Sequence, residues 1–217
     1  MVRPKKAAVE EHEGRRKGTA EERPYPPGRI KIAGALISLL AAKEFSAITT
    51  AEIAKEAGVT EALIYKYFED KRGLLHQVLK EYLERYLVQF ETDLKGIKGA
   101  LNKIRKLIWS HINVYSNNRV FAKMLFLEVR NHPDYYRSET YELVRQESRI
   151  LLDIIEEGVR CGEIRNDLPT KLIRQCIFGS IEHVCLTGVI FQREISPDDL
   201  TEDLCKFIFK GIEPPRP

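Results

Sequence analysis

Residues Thr49 to Leu75 read TTAEIAKEAGVTEALIYKYFEDKRGLL. Their spacing predicts two short helices about a tight turn, followed by the start of a third. In the first helix Ile53, Ala54 and Ala57 form an inward face, with Thr50 placed as N-cap ahead of Glu52 and Ile53. Gly58 ends it, because the left-handed conformation of a C-cap costs glycine little. Val59 packs the corner, Thr60 is placed to cap the second helix, and Leu63, Ile64 and Phe68 bury its inner side. This is a helix-turn-helix, whose second helix can enter the major groove of DNA.

On both sides of this motif the period stays helical. Ile30, Ala33, Ala35, Leu36, Leu39 and Leu40 predict a helix over about 29–43. Leu74, Leu75, Val78, Leu79, Tyr82, Leu83, Tyr86 and Leu87 predict another over about 71–94. Further helices are predicted over about 100–116, over about 119–130, and from a cap at Asp134 to a stop at Gly162. One more covers about 169–192, and the last opens on Ser196 with Pro197 at its first position and ends near Gly211. The fold class is therefore all-α, with nine helices. A basic arm (1–28), rich in Pro and Gly, is expected to be disordered. A helix-turn-helix domain (29–75) and a helical regulatory domain (76–217) follow it.

Composition narrows the function. With 43% hydrophobic and 31% charged residues, the 217-residue chain is an ordinary globular one. It has no apolar run long enough to span a membrane and no apolar leader, so the expected location is the cytoplasm, without membrane partners. Cys161, Cys176, Cys185 and Cys205 show no metal-type spacing and are expected as small buried thiols. The five histidines are scattered, and there is no catalytic motif, glycine-rich phosphate loop or carboxylate pair. No catalytic residue, metal or cofactor is assigned. The net charge of +3 resides in residues 1–29, while residues 30–75 balance six basic against six acidic side chains. Phosphate contact must then depend on where particular donors point. Arg15, Arg16 and Lys17 in the arm could reach a minor groove, or belong to a solvated leader.

The run from Ala57 to Leu75 also carries a resemblance. Gly58-Val59, then Ile64-Tyr65-Lys66-Tyr67-Phe68, then Lys71 and Leu74-Leu75 resemble the recognition-helix signature of TetR-family transcriptional regulators. The match covers about residues 29–75, and the nine helices follow that family's layout of three for DNA and six for a regulatory body. The resemblance implies DNA contacts at Thr49, Thr50, Thr60, Glu61, Ala62, Tyr65, Lys66, Tyr67 and Lys71, with Lys71 the surest phosphate partner. Glu61 departs from the basic or polar residue often found there. The alternative for Tyr65 and Tyr67 is that they only pack the small domain.

It further implies a homodimer on a palindromic operator, built through the last two helices. The interface positions are then Ile177, Phe178, Ile181, Glu182, His183, Cys185 and Phe207. A second resemblance, to acyl-CoA-responsive fatty-acid-degradation regulators within the family, rests on Glu128 and Arg130, on Gly162-Glu163-Ile164, and on Arg174-Gln175 with Ile177 to Glu182. It implies a repressor released by an apolar small molecule, a long-chain acyl-CoA. Its pocket would be drawn from Trp109, Ile112, Tyr115, Met124, Leu125, Glu128, Val129, Arg130, Phe178 and Ile181, positions that a packed core would use equally well. Arg105, Lys106, Arg119, Lys123, Arg130 and Arg149 are the cations available for CoA phosphates. The alternative is a DNA-bound interaction protein governed by a protein partner; a closed cavity or a packed core in the regulatory body separates the two.

Overall fold

The computed structural model describes residues 25–214; Arg15, Arg16 and Lys17 lie outside them. Among the described residues all regular structure is helical. It comprises α1 (Pro27–Ala42), α2 (Thr50–Ala57), α3 (Glu61–Phe68), α4 (Lys71–Leu94), α5 (Ala100–Asn117), α6 (Arg119–Lys123), α7 (Glu139–Cys161), α8 (Thr170–Phe191) and α9 (Pro197–Ile212). No helix there is long and apolar enough to cross a membrane.

The capping chemistry differs from the sequence expectation at α2. Thr49, not Thr50, is the N-cap. Its hydroxyl accepts from the Glu52 N–H (3.1 Å), while its own N–H donates to the Glu52 carboxylate (2.9 Å). This reciprocal box satisfies two backbone donors at once. Lys43 adds a 2.6 Å ion pair to Glu52, and these donors, Lys43 foremost, hold the Glu52 carboxyl down at about 2. Gly58 closes α2 at φ +64° and Gly162 closes α7 at φ +75°, both in the region that favours glycine.

Two predicted helices are built differently. The segment expected as one helix over 119–130 is a five-residue α6 followed by a π-helical turn at Met124–Glu128. The run FAKMLFLEV has almost no polar side to hold a 3.6-residue register. Packing decides instead, and Met124, Leu125 and Phe126 are consecutively buried. Asp134 does not cap α7. Residues Pro133–Arg137 form a 3₁₀ turn around the buried Tyr135, and Ser138 is the cap, accepting from the Tyr141 N–H at 3.2 Å.

α4 joins the two halves. Its first turns bury Leu74 and Leu75 with the core of α1–α3, and its later turns bury Leu83, Leu87 and Phe90. The buried stripe of α7 runs through Thr140, Glu147, Leu151, Ile154, Ile155 and Gly158. At Gly158 the backbones come so close that a Cβ would lie 2.7 Å from that of Ala100. The cysteine expectation holds for half the set. Cys185 and Cys205 are buried, which pushes their thiols up to about 12 and about 11. Cys161, at the end of α7, and Cys176, on the outer side of α8, are exposed and correct it.

Candidate DNA-binding and effector sites

The outer face of α3 presents Thr60, Glu61, Ala62, Tyr65 and Lys66, all exposed. Ile64 and Phe68 anchor its inner side. Thr60 occupies the N-cap position without a side-chain cap bond, so its hydroxyl is available to a ligand. Thr50 donates its hydroxyl to the Glu61 carboxylate, and the Tyr65 hydroxyl lies 3.4 Å from both. Glu61 thus clamps the recognition helix to the start of α2 through Oε1, which faces both hydroxyls.

Two expected DNA contacts are placed elsewhere. Tyr67 is half-buried, with its ring against the start of α1 near Gly28 and edge-on to Phe68. Lys71, expected at phosphate, turns inward. Its ammonium donates to the carbonyls of Ile48 (2.6 Å) and Phe45 (2.8 Å) and sits 4.4 Å from the Phe45 ring centre. Burial pulls its pKa down. In this arrangement Lys71 closes the loop between α1 and α2.

In the regulatory body, residues assigned to a pocket wall are mostly core. Ile112, Val129, Met124 and Ile181 are fully packed. Trp109 is half-buried at the α5–α9 contact, where its indole N–H donates to Asp198 at 2.7 Å. Glu128 faces a cleft of about 320 Å³ between the two domains, lined also by Phe45, Asp70, Lys71 and Arg72; burial raises its pKa. Arg130 forms a 2.5 Å pair with Glu182 on α8. The other cations proposed for CoA are engaged too: Arg105 with Glu202, Lys106 with Asp93, Arg149 with Glu142, Arg119 with the Arg193 carbonyl, and Lys123 with Glu44.

Within the core lies a cavity of about 10 Å³, the room one water-sized group needs. Tyr115 and Leu125, both among the residues proposed for a pocket, line it, and Phe178 stacks edge-on at 5.4 Å against its His111 wall. The remaining wall comes from Leu83, Tyr86, Val114, Phe121 and Glu147. None of these, nor His111, is among the residues that the sequence proposed for a pocket. Glu147 had a readable signal, since it interrupts the buried stripe of α7 with a carboxylate.

Around this cavity His111 and Glu147 form a buried pair. The Leu107 carbonyl can only accept, so His111 Nδ1 carries a proton (2.9 Å), and the Tyr86 hydroxyl is 3.2 Å from the same atom. Nε2 lies 2.9 Å from Glu147 Oε1, off the line that an N–H···O bond needs. Burial alone would lower the His111 pKa, but the carboxylate outweighs it and the net direction is up. Burial likewise drives Tyr86 and Tyr115 well above the usual phenol range.

α8 shows why its interface could not be read by period. Ile173, Ile177, Ile181, Cys185 and Val189 are buried within the protomer. Three residues expected at the dimer contact, Ile177, Ile181 and Cys185, are therefore core, because α5 and α7 cover that side. Phe178 is half-buried against His111, and Glu182 is taken by Arg130. The outer side carries Leu172, Cys176, Gly179, His183, Ile190 and Phe191, and on α9 Phe207 is 75% exposed.

Comparison with known proteins resolves what such an arrangement is. Residues 32–78 match the profile described as bacterial regulatory proteins, tetR family, and residues 79–211 that of YsiA-like protein, C-terminal region. The chain belongs to the TetR family. This TetR-family chain is a transcriptional regulator and not an enzyme. It is 28% identical over 186 residues to the fatty acid metabolism regulator protein of Bacillus subtilis, covering 86% of this chain and 96% of that one. Its structure superposes on the regulator FadR of Bacillus subtilis in complex with stearoyl-CoA at TM-score 0.76 and 28% identity, covering 85% and 99% of the two chains. The fatty acid degradation regulator FadR of Bacillus halodurans shares the fold at TM-score 0.78 and 23% identity, covering 87% and 98%.

The upward direction of the His111 pKa predicts that this regulator's stability depends on pH. A histidine whose pKa rises on folding contributes fully below its unfolded value, about 6.5, and the contribution fades as pH climbs through the raised value. The wild type is therefore expected to lose stability relative to a His111→Leu/Glu147→Leu variant between pH 6 and pH 9. Urea midpoints at the two pH values check this; a difference that does not change with pH contradicts it.

Proposed function

We propose that the protein is a homodimeric repressor that binds a palindromic operator through α3 of each subunit and leaves it when a long-chain acyl-CoA binds the regulatory body. The observation that carries this reading is the match, along nearly the whole of both chains, to a fatty acid metabolism regulator whose structure holds stearoyl-CoA. Direct DNA contact falls to Thr60, Ala62, Tyr65 and Lys66, with Thr49, Thr50 and the α2 N-terminus beside a phosphate. Glu61 positions them.

The coupling route follows from α6. Phe121 of α6 and Leu125 of the π turn line the cavity. Lys123 between them donates to the Lys43 carbonyl at the end of α1 (3.0 Å) and pairs with Glu44 (3.0 Å). An acyl chain needs a pocket of about 300 Å³ or more, so its entry must part α5 and α7 from α6. Moving α6 carries the end of α1 with it and changes the spacing of the two recognition helices. The ligand then acts by favouring the conformation in which this has happened. π turns recur at functional positions of this kind.

The small cavity also favours the second reading, a DNA-bound interaction protein answering to a partner protein. Fluorescence anisotropy with DNA from upstream of this protein's own gene decides between them. The expected outcome is release by stearoyl-CoA, with free CoA and stearate inactive. Tight binding that no acyl-CoA disturbs supports the partner reading.

A further inference from the structure

The cavity wall is apolar apart from His111, Glu147 and the tyrosine hydroxyls of Tyr86 and Tyr115. His111 and Glu147 are each more than nine-tenths buried, and Nε2 and Oε1 are without a hydrogen-bond partner. A cavity made to hold a plain hydrocarbon has no use for such atoms. The two face each other at 2.9 Å without the alignment of a hydrogen bond, so a buried ion pair set against methylene groups recovers only part of its desolvation cost. Nδ1 is committed to the Leu107 carbonyl, which leaves Nε2 and the adjacent Glu147 Oε1 without a directed hydrogen bond, in two residues that both line the cavity.

We propose that this cavity recognises a hydroxyl group carried on the acyl chain of the effector, so that the effector class is a hydroxyacyl thioester. The inference rests on the acyl-CoA reading above and narrows it. A hydroxyl is the small neutral group that matches both atoms, its oxygen accepting from His111 Nε2–H and its proton going to Glu147 Oε1. A ketone or thioester carbonyl accepts only, so it would turn its lone pairs on the carboxylate. An ammonium group would meet the imidazolium. The present volume of about 10 Å³ suits one oxygen-sized group at this point, with the chain on either side occupying the space that opens between α5, α6 and α7. Sites built to hydrogen-bond a ligand hydroxyl discriminate strongly against the analogue that lacks it.

The test compares stearoyl-CoA with hydroxystearoyl-CoAs bearing the hydroxyl near the thioester, at mid-chain and near the methyl end. Binding to the full-length protein is measured by isothermal titration calorimetry, and operator release by anisotropy. At least one hydroxylated ligand is expected to bind roughly tenfold or more tightly than stearoyl-CoA. In the His111→Leu/Glu147→Leu variant the ratio is expected to fall to about one. That variant removes both charges together, a replacement that buried pairs commonly tolerate without loss of stability. Equal binding of plain and hydroxylated chains by the wild type overturns the inference and leaves the acyl-CoA reading standing. A preference that survives in the double variant overturns it too. If no ligand of either class binds, the acyl-CoA reading itself fails and takes the inference with it.

Discussion

For the homodimer proposed above, replacing Phe207 with aspartate is expected to leave the protein monomeric and to abolish high-affinity operator binding. Phe207 is 75% exposed on α9, and on α8 Phe191, Ile190 and Leu172 are 66%, 47% and 46% exposed. Large apolar side chains left exposed on two helices that touch each other mark a contact surface. Aromatic anchors at the centre of an interface each contribute about 2 kcal/mol or more. A buried, unpaired carboxylate adds a further penalty, so dimer dissociation should strengthen by a factor of about 30 or more. The loss in DNA affinity follows from geometry, since a monomer brings one recognition helix where a palindrome offers two half-sites. Sedimentation velocity at micromolar concentration, together with operator anisotropy, checks both. Ile181→Asp provides a contrast. Its side chain is 1% exposed inside the protomer, and it should unfold the regulatory body rather than release a folded monomer. If the Phe207 variant sediments like the wild type, the assigned interface is wrong.

The second large effect is expected at Gly73, in the first turn of α4. A Cβ at this position would lie 2.1 Å from the Phe68 carbonyl oxygen, an impossible distance for two backbone-held atoms. Phe68 ends the recognition helix. The two-residue link after it is already tight: Glu69 has φ +65°, and the Asp70 N–H donates to the Phe68 carbonyl at 2.7 Å. Asp70 caps α4 by accepting from the Gly73 N–H at 2.6 Å. Gly73→Ala therefore forces the link between α3 and α4 to move. It is expected to cost about 1–3 kcal/mol, lowering the melting temperature by about 2–4 °C per kcal/mol, and to weaken operator binding beyond what stability explains. Gly34→Ala is the control. It lies exposed within α1, a Cβ there meets nothing within 4 Å, and helix propensity predicts stabilisation of about 0.5–1 kcal/mol. Calorimetric melting of the two variants separates the effects; a Gly73→Ala protein that melts with the wild type contradicts the steric argument.

Local chemistry determined much of this protein from its sequence alone. Periodicity placed α4, α5 and α8 to within a residue or so. Gly58, Gly162 and Ser196 punctuate the chain because each satisfies backbone groups through its own conformation or hydroxyl, whatever packs around it. The recognition helix and its outward residues are equally local, since α2 and α3 bury so small a face that the opposite one is obvious.

Only the tertiary structure decided which side of a uniformly apolar helix meets which neighbour. In α8, Ile177, Ile181 and Cys185 face inward and Leu172, Cys176 and Ile190 outward because α5 and α7 cover one side of it. The same holds for the π turn at Met124–Glu128, whose apolar run contains no polar side to set its register. Lys71 turned from DNA towards the carbonyls of Phe45 and Ile48 because a loop 23 to 26 residues away in sequence left those acceptors beside it. Gly73 reads as an ordinary residue in a helix until the end of the preceding helix is laid across it. His111, Glu147 and Tyr86 came together from α5, α7 and α4, with 25 residues separating Tyr86 from His111. Hydrogen bonds and ion pairs at such separations depend on the packed positions of whole helices, a quantity that no local pattern encodes.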